Sequence, residues 1–195
     1  MQLDLLYKNL GIKDMNAMQR SAFKMSENQR DLVLLSPTGS GKTLAFLFPV
    51  LRDLKPDVKG VQCLVLVPAR ELALQIETVF KSMKSDYKVT CCYGGHNTKI
   101  EQNNLLEAPA VLIGTPGRIA YHLRNENFDP TTVNTLVLDE FDKALELGFK
   151  EDMSFIVNQL SGLKQRILTS ATEMEDIPEF VGLNDEKIVS YLKNI

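Results

Sequence analysis

The stretch "DLVLLSPTGSGKTLAFLFPVL", Asp31 to Leu51, carries three kinds of sequence in a row. The apolar run Leu32 to Leu35 predicts a strand covered on both faces. A glycine-bearing loop follows, and then apolar residues at helical spacing from Leu44 to Leu54. A buried strand leading through a tight loop into a helix is the first half of a unit that lays helices on a parallel sheet.

The rest of the chain repeats that alternation. Strands are expected at 31–36, 61–67, 88–93, 110–115, 135–140 and 166–171, with a further one at 187–192. Helical spacing covers Glu71 to Met83, Lys99 to Leu106, Arg118 to Leu123 and Lys150 to Leu160. Ahead of the first strand, Leu3 to Leu10 and Asn16 to Met25 read as helices, with Asn16 as an N-cap. Pro56 and Gly60 make a turn of "LKPDVKG". The fold class is therefore α/β, a mostly parallel central sheet with helices on both faces, in one domain over residues 1–195. Ligands in such sheets bind beyond the carboxyl ends of the strands.

Two strand ends carry unusual chemistry. In "SPTGSGKT", Ser36 to Thr43, Gly39 and Gly41 let backbone N–H groups turn inward around a phosphate, and the following helix adds its positive end. Lys42 then reaches the outer phosphates and the Thr43 hydroxyl ligates Mg²⁺. The strict pattern has glycine where Ser36 stands. In "TLVLDEFDKALELGF", Thr135 to Phe149, an apolar run ends on two adjacent carboxylates, Asp139 and Glu140. Two neighbouring acids at a buried strand end are costly unless solvated or compensated. A metal held by Thr43 on one side and Asp139 on the other compensates them, with Glu140 placed to act on water.

Composition narrows the classes. Of 195 residues, 44% are hydrophobic and 24% charged, enough apolar material for one core. The net charge of −3 excludes a global basic field, so any nucleic-acid contact must be a local patch. Cys63, Cys91 and Cys92 lack the spacing of a zinc site and read as buried free thiols in a reducing compartment. No apolar run has membrane-spanning length, and "MQLDLLYKNL" is unlike an export signal, so a cytoplasmic protein with no membrane partner is expected. His96 and His122 offer no constellation with a cysteine or a nucleophilic serine and read as surface or loop residues.

The motifs and their order resemble the first RecA-like domain of the DEAD-box RNA helicases. "GIKDMNAMQ" (11–19) is similar to the Q motif, "SPTGSGKT" to motif I and "PAREL" (68–72) to motif Ia. Gly94 and Gly95 resemble the GG element, "TPGR" (115–118) motif Ib, "DEFD" (139–142) motif II and "SAT" (170–172) motif III. The resemblance implies a RecA-like P-loop NTPase domain that uses ATP and Mg²⁺. It implies nucleotide contacts from Gln19, Ser36, Pro37, Thr38, Gly39, Ser40, Gly41, Lys42 and Thr43, with Gln19 reading the adenine edge. Metal ligands would be Thr43 and Asp139; Lys42, Asp139 and Glu140 would carry the catalysis. Arg70, Gly94, Gly95, Thr115 and Arg118 would line a path for single-stranded RNA, holding phosphates without reading bases. Asp142, Ser170 and Thr172 would couple the nucleotide to motion.

The chain departs from the family at Phe141 (usually Ala), Ala69 (usually Thr), Met15 and Asn16 (usually Pro-Thr or Pro-Ser) and Met18 (usually Ile). Tyr7 is not the family's adenine-stacking aromatic. Nothing after Thr172 has room for the family's second RecA-like domain, the expected partner beside RNA. Two rivals to the ATP-dependent helicase reading stand: an RNA-binding clamp that uses ATP as a switch with little hydrolysis, against which Glu140 argues, and a small phosphotransferase, which has no use for motifs Ia, Ib and III.

Overall fold

In the computed structural model, which describes residues 2–174 and 176–192, seven strands form one sheet. They are β1 (Leu32–Leu35), β2 (Cys63–Leu66), β3 (Val89–Cys92), β4 (Val111–Gly114), β5 (Thr135–Leu138), β6 (Gln165–Ser170) and β7 (Lys187–Ser190). The order across the sheet is β3-β4-β2-β5-β6-β1-β7, and every pairing is parallel. The α/β reading holds.

Alternation of side chains along the strands divides the core in two. Leu32 and Leu34 of β1, Cys63 and Val65 of β2 and Val137 of β5 point to one face. There they meet apolar residues of α1 (Leu3–Leu10), α2 (Ala17–Met25), α3 (Lys42–Asp53) and α4 (Arg70–Ser82). Val33, Leu35, Leu64, Leu66, Leu136 and Leu138 point to the other. That face is covered by α5 (Thr98–Leu106), α6 (Pro116–Arg124), α7 (Phe141–Glu146) and α8 (Lys150–Gln159). Both faces are dry, which is why the strands are near-continuous apolar runs.

The expected elements form, with ends shifted by a residue or two. Asn16 caps α2 as expected: its side chain accepts the Gln19 N–H, and the Gln19 side chain accepts the Asn16 N–H in return. Helix α6 starts at Pro116, whose fixed φ suits a first helical position. Helix α7 is an addition to the predicted set. Strand β5 stops at Leu138, so Asp139 and Glu140 lie in the turn before α7 rather than inside a strand. Strand β6 runs between β1 and β5, with Leu34 opposite Thr169 on one side and Leu138 opposite Leu168 on the other. The glycine loop and the acid pair therefore flank β6 at the carboxyl end of the sheet.

Candidate functional site

The loop between β1 and α3 takes its shape from two left-handed glycines, Gly39 (φ 77°) and Gly41 (φ 92°). Its first residue is tied to β6 through the Ser36 N–H on the Ser170 carbonyl at 3.1 Å, and the Ser36 and Ser40 hydroxyls are 2.7 Å apart. Lys42 is buried; its Nζ donates to the Ser36 carbonyl at 2.5 Å and the Pro37 carbonyl at 3.2 Å. Burial lowers the lysine's pKa, against the pull of Asp139, Glu140 and Asp142. Pro37, Thr38 and Gly39 are exposed and Thr43 is half-buried in the first turn of α3. Gln19 comes against this loop: its Nε2 donates to the Gly41 carbonyl at 3.2 Å, while Asn16 Nδ2 donates to that of Ser40 at 3.0 Å. Both ends of the Gln19 amide are thus engaged inside the protein.

Asp139 is 6% exposed and so is no solvated acid, while Glu140 beside it is half-buried. Burial and the neighbouring Glu140 charge raise its pKa to about 6, although a hydrogen bond from Thr169 and the charge of Lys42 act the other way. Thr169 Oγ1 donates to Asp139 Oδ1 and also accepts the Glu140 N–H. Glu140 has a left-handed backbone (φ 50°, ψ 50°) as it enters α7, a turn an L residue adopts only under constraint. Beyond it, Asp142 Oδ2 accepts the Thr172 hydroxyl at 3.0 Å, and the Ser170 hydroxyl donates to the Thr172 carbonyl at 2.7 Å. The Asp142 to Thr172 hydrogen bond ties the "SAT" segment to the start of α7. Among the described residues, Asp142 Oδ1 is buried without a partner.

The oxygen donors here suit a hard divalent cation: a carboxylate at Asp139 whose burial Thr169 and Lys42 offset only in part, and a hydroxyl at Thr43.

A concavity of about 600 Å³ opens at the same end of the sheet. Arg70, Gly94, Thr115 and Arg118 line it as a group, joined by Tyr121 and Phe149; Gly95 follows Gly94 in the same turn. Arg70 has an exposed side chain whose Nε meets Glu71 at 3.0 Å, a surface pair of little energetic weight. Arg118 is held differently. Only 14% exposed, it donates from Nη1 to Glu101 Oε2 at 3.0 Å and to the His96 carbonyl at 3.2 Å.

Of the two histidines, His96 lies in a loop as expected, and His122 corrects its sequence reading. His122 is fully buried and meets Glu101 Oε2 at 2.8 Å; its other ring nitrogen is 2.9 Å from Asn127 Nδ2. His96 stacks on Tyr93 and meets Glu101 Oε1 at 3.1 Å. Cys92, Glu101 and His122 also bring ligand atoms within 4.8 Å of one another, a histidine–cysteine constellation the sequence reading denied. Both Glu101 oxygens already accept hydrogen bonds, and burial raises the Cys92 thiol far above its ordinary pKa, so the cluster works as a hydrogen-bond centre. The cysteines are free and buried, as expected. Thr169 and Glu101 were missed by sequence reasoning; a hydroxyl residue at the carboxyl end of β6 is the one available signal for the first.

Comparison with known proteins agrees with this geometry. A family model described as DEAD/DEAH box helicase matches residues 16–180. The chain is 38% identical over 172 residues to the ATP-dependent RNA helicase DeaD of Escherichia coli (strain K12), covering 87% of this chain and 27% of that protein. It is 37% identical over 169 residues to the ATP-dependent rRNA helicase RRP3 of Encephalitozoon cuniculi, covering 86% and 42%. Among solved structures, a hypothetical ATP-dependent RNA helicase from Sulfolobus tokodaii superposes with a TM-score of 0.86 at 28% identity, covering 97% of this chain and 57% of that one. The chain thus spans well under half the length of these two curated relatives. The matched residues include the glycine loop, the acid pair and the Ser170 to Thr172 turn, and the chain belongs to the DEAD/DEAH box helicase family.

Proposed function

We propose that this chain is the nucleotide-binding RecA-like domain of an ATP-dependent RNA helicase that remodels short RNA duplexes. The observation that carries the reading is the convergence, on either side of β6, of the Lys42 loop and the buried Asp139 carboxylate. Gln19 and the loop Ser36 to Thr43 bind ATP, with Lys42 leaving its loop carbonyls for the outer phosphates. Thr43 and Asp139 would hold Mg²⁺, which when bound would supply positive charge to the phosphates. Glu140, its backbone fixed by Thr169, orients and polarises the attacking water. Arg70, Thr115, Arg118 and the Gly94-Gly95 turn hold RNA phosphates in the groove. Thr172, Asp142 and Ser170 relay the nucleotide state toward a second RecA-like domain, for which the greater length of the relatives leaves room. Buried free thiols fit a reducing cytoplasm, and among the described residues no helix is long and apolar enough to cross a membrane.

Phosphate release by the full-length protein, with and without RNA, tests the reading. RNA-stimulated release is expected; ATP-dependent RNA binding without turnover would favour the clamp.

A further inference from the structure

We propose that Glu101, which lies outside the groove lining, is the positioning residue that sets Arg118 and the Gly94-Gly95 turn for RNA. This rests on the groove reading above and goes beyond it. Glu101 sits on α5 and is completely buried. Its carboxylate gathers four donors from two segments. Oε1 takes the Tyr93 N–H at 3.0 Å and His96 Nδ1 at 3.1 Å, the residues that bracket the glycine pair. Oε2 takes Arg118 Nη1 at 3.0 Å and His122 Nε2 at 2.8 Å, both from α6. With the Asn127 amide donating to His122 Nδ1, the ring hydrogen lies on Nε2 and points at Glu101. One buried group therefore ties together the turn that forms one wall of the groove and the helix that forms another.

Burial by itself would raise the Glu101 pKa, but hydrogen bonds from His122 and Tyr93, the Arg118 charge and His96 together hold it below the usual range. A charge so compensated stays ionised and fixes its partners. Arg118 gains the most. Both of its protein hydrogen bonds run through Nη1, so among the described residues Nε and Nη2 are free to meet a phosphate from a guanidinium already held in place. The long side chain then loses little rotamer freedom on binding.

The test is fluorescence anisotropy of a labelled oligouridine on this chain, with a fluorescent ADP analogue as an independent reading of the nucleotide site. Arg118→Ala should weaken RNA binding about tenfold. Glu101→Gln, which keeps the shape and removes the charge, should weaken it about threefold to tenfold. Adding Glu101→Gln to Arg118→Ala should cost less than Glu101→Gln costs alone, since only the share that runs through the glycine turn is left, and nucleotide affinity should stay within about twofold throughout. Arg118→Lys should bind RNA as weakly as Arg118→Ala, since Glu101 takes the compact ammonium and leaves no outward fork; this variant decides the matter even if Glu101→Gln does not fold. Unchanged or tighter RNA binding by Glu101→Gln, additive losses in the double variant, or full retention by Arg118→Lys would overturn the positioning role alone. Equal RNA binding by the wild type and Arg118→Ala would overturn the groove reading and this inference with it.

Discussion

Thr169 Oγ1 donates to Asp139 Oδ1 at 2.5 Å, and the same oxygen accepts the Glu140 N–H at 3.1 Å. One hydroxyl on β6 thus orients the first carboxylate through its side chain and the second through its backbone. The register places it there, since Leu168 pairs with Leu138 and the next residue on each chain comes into contact.

Thr169→Val removes that oxygen at nearly constant volume. It leaves the Glu140 N–H without its partner and takes a stabilising donor from Asp139, so a loss of about 1–3 kcal/mol is expected in urea unfolding. Thr169→Ser should recover most of it.

Asp139 gives the fold a pH signature. Its carboxyl is raised from an ordinary 3.8 to about 6, by burial first and by Glu140 second, against Thr169 and Lys42. Between those two values the folded state holds a proton that the unfolded chain releases, so stability falls as pH rises through this window. Above it the buried charge weighs on the fold. In chelator at about pH 8, Asp139→Asn should therefore be more stable than the wild type by on the order of 2–3 kcal/mol. The difference should shrink toward zero as pH is lowered to about 4, which thermal melts across pH would read.

Lys42→Ala should leave the domain folded, because the lost ammonium was itself desolvated. Nucleotide affinity, followed with a fluorescent ATP analogue, should drop at least about tenfold, and ATP turnover by the full-length protein should vanish. Unchanged turnover would remove the phosphate-loop assignment.

Gly41→Ala tests the joint between α2 and the loop. A Cβ there would sit 2.7 Å from Gln19 Nε2, at a φ of 92° that L residues rarely adopt. Backbone strain alone is worth about 1–2 kcal/mol, and nucleotide affinity should fall with the melting temperature.

The fold could be read because most β-strands carry a short run of apolar residues and the longer helices have their own spacing, both local properties. The glycine loop and the Asp-Glu pair are equally local. Strand order is not: that β6 enters between β1 and β5 depends on one pairing 135 residues apart and another 30 apart, and with it went the role of Thr169. Glu101 was hidden for the same reason. In "TKIEQNNLL" it resembles any surface acid, while its partners come from positions 93, 96, 118 and 122. Helix α7 escaped because six residues are too few for a periodic pattern and its entry is a left-handed glutamate.

The insertion of β6 also acts as a gauge. Two strand widths, about 10 Å, separate the chain that opens into the glycine loop from the chain that ends on the acids. Hydrogen-bonded backbone sets that distance, so no single side-chain exchange can narrow it. Trimming a functional group blunts one jaw of the vice, whereas changing its opening requires slipping a strand by a whole residue, which would turn every core side chain of that strand to the wrong face.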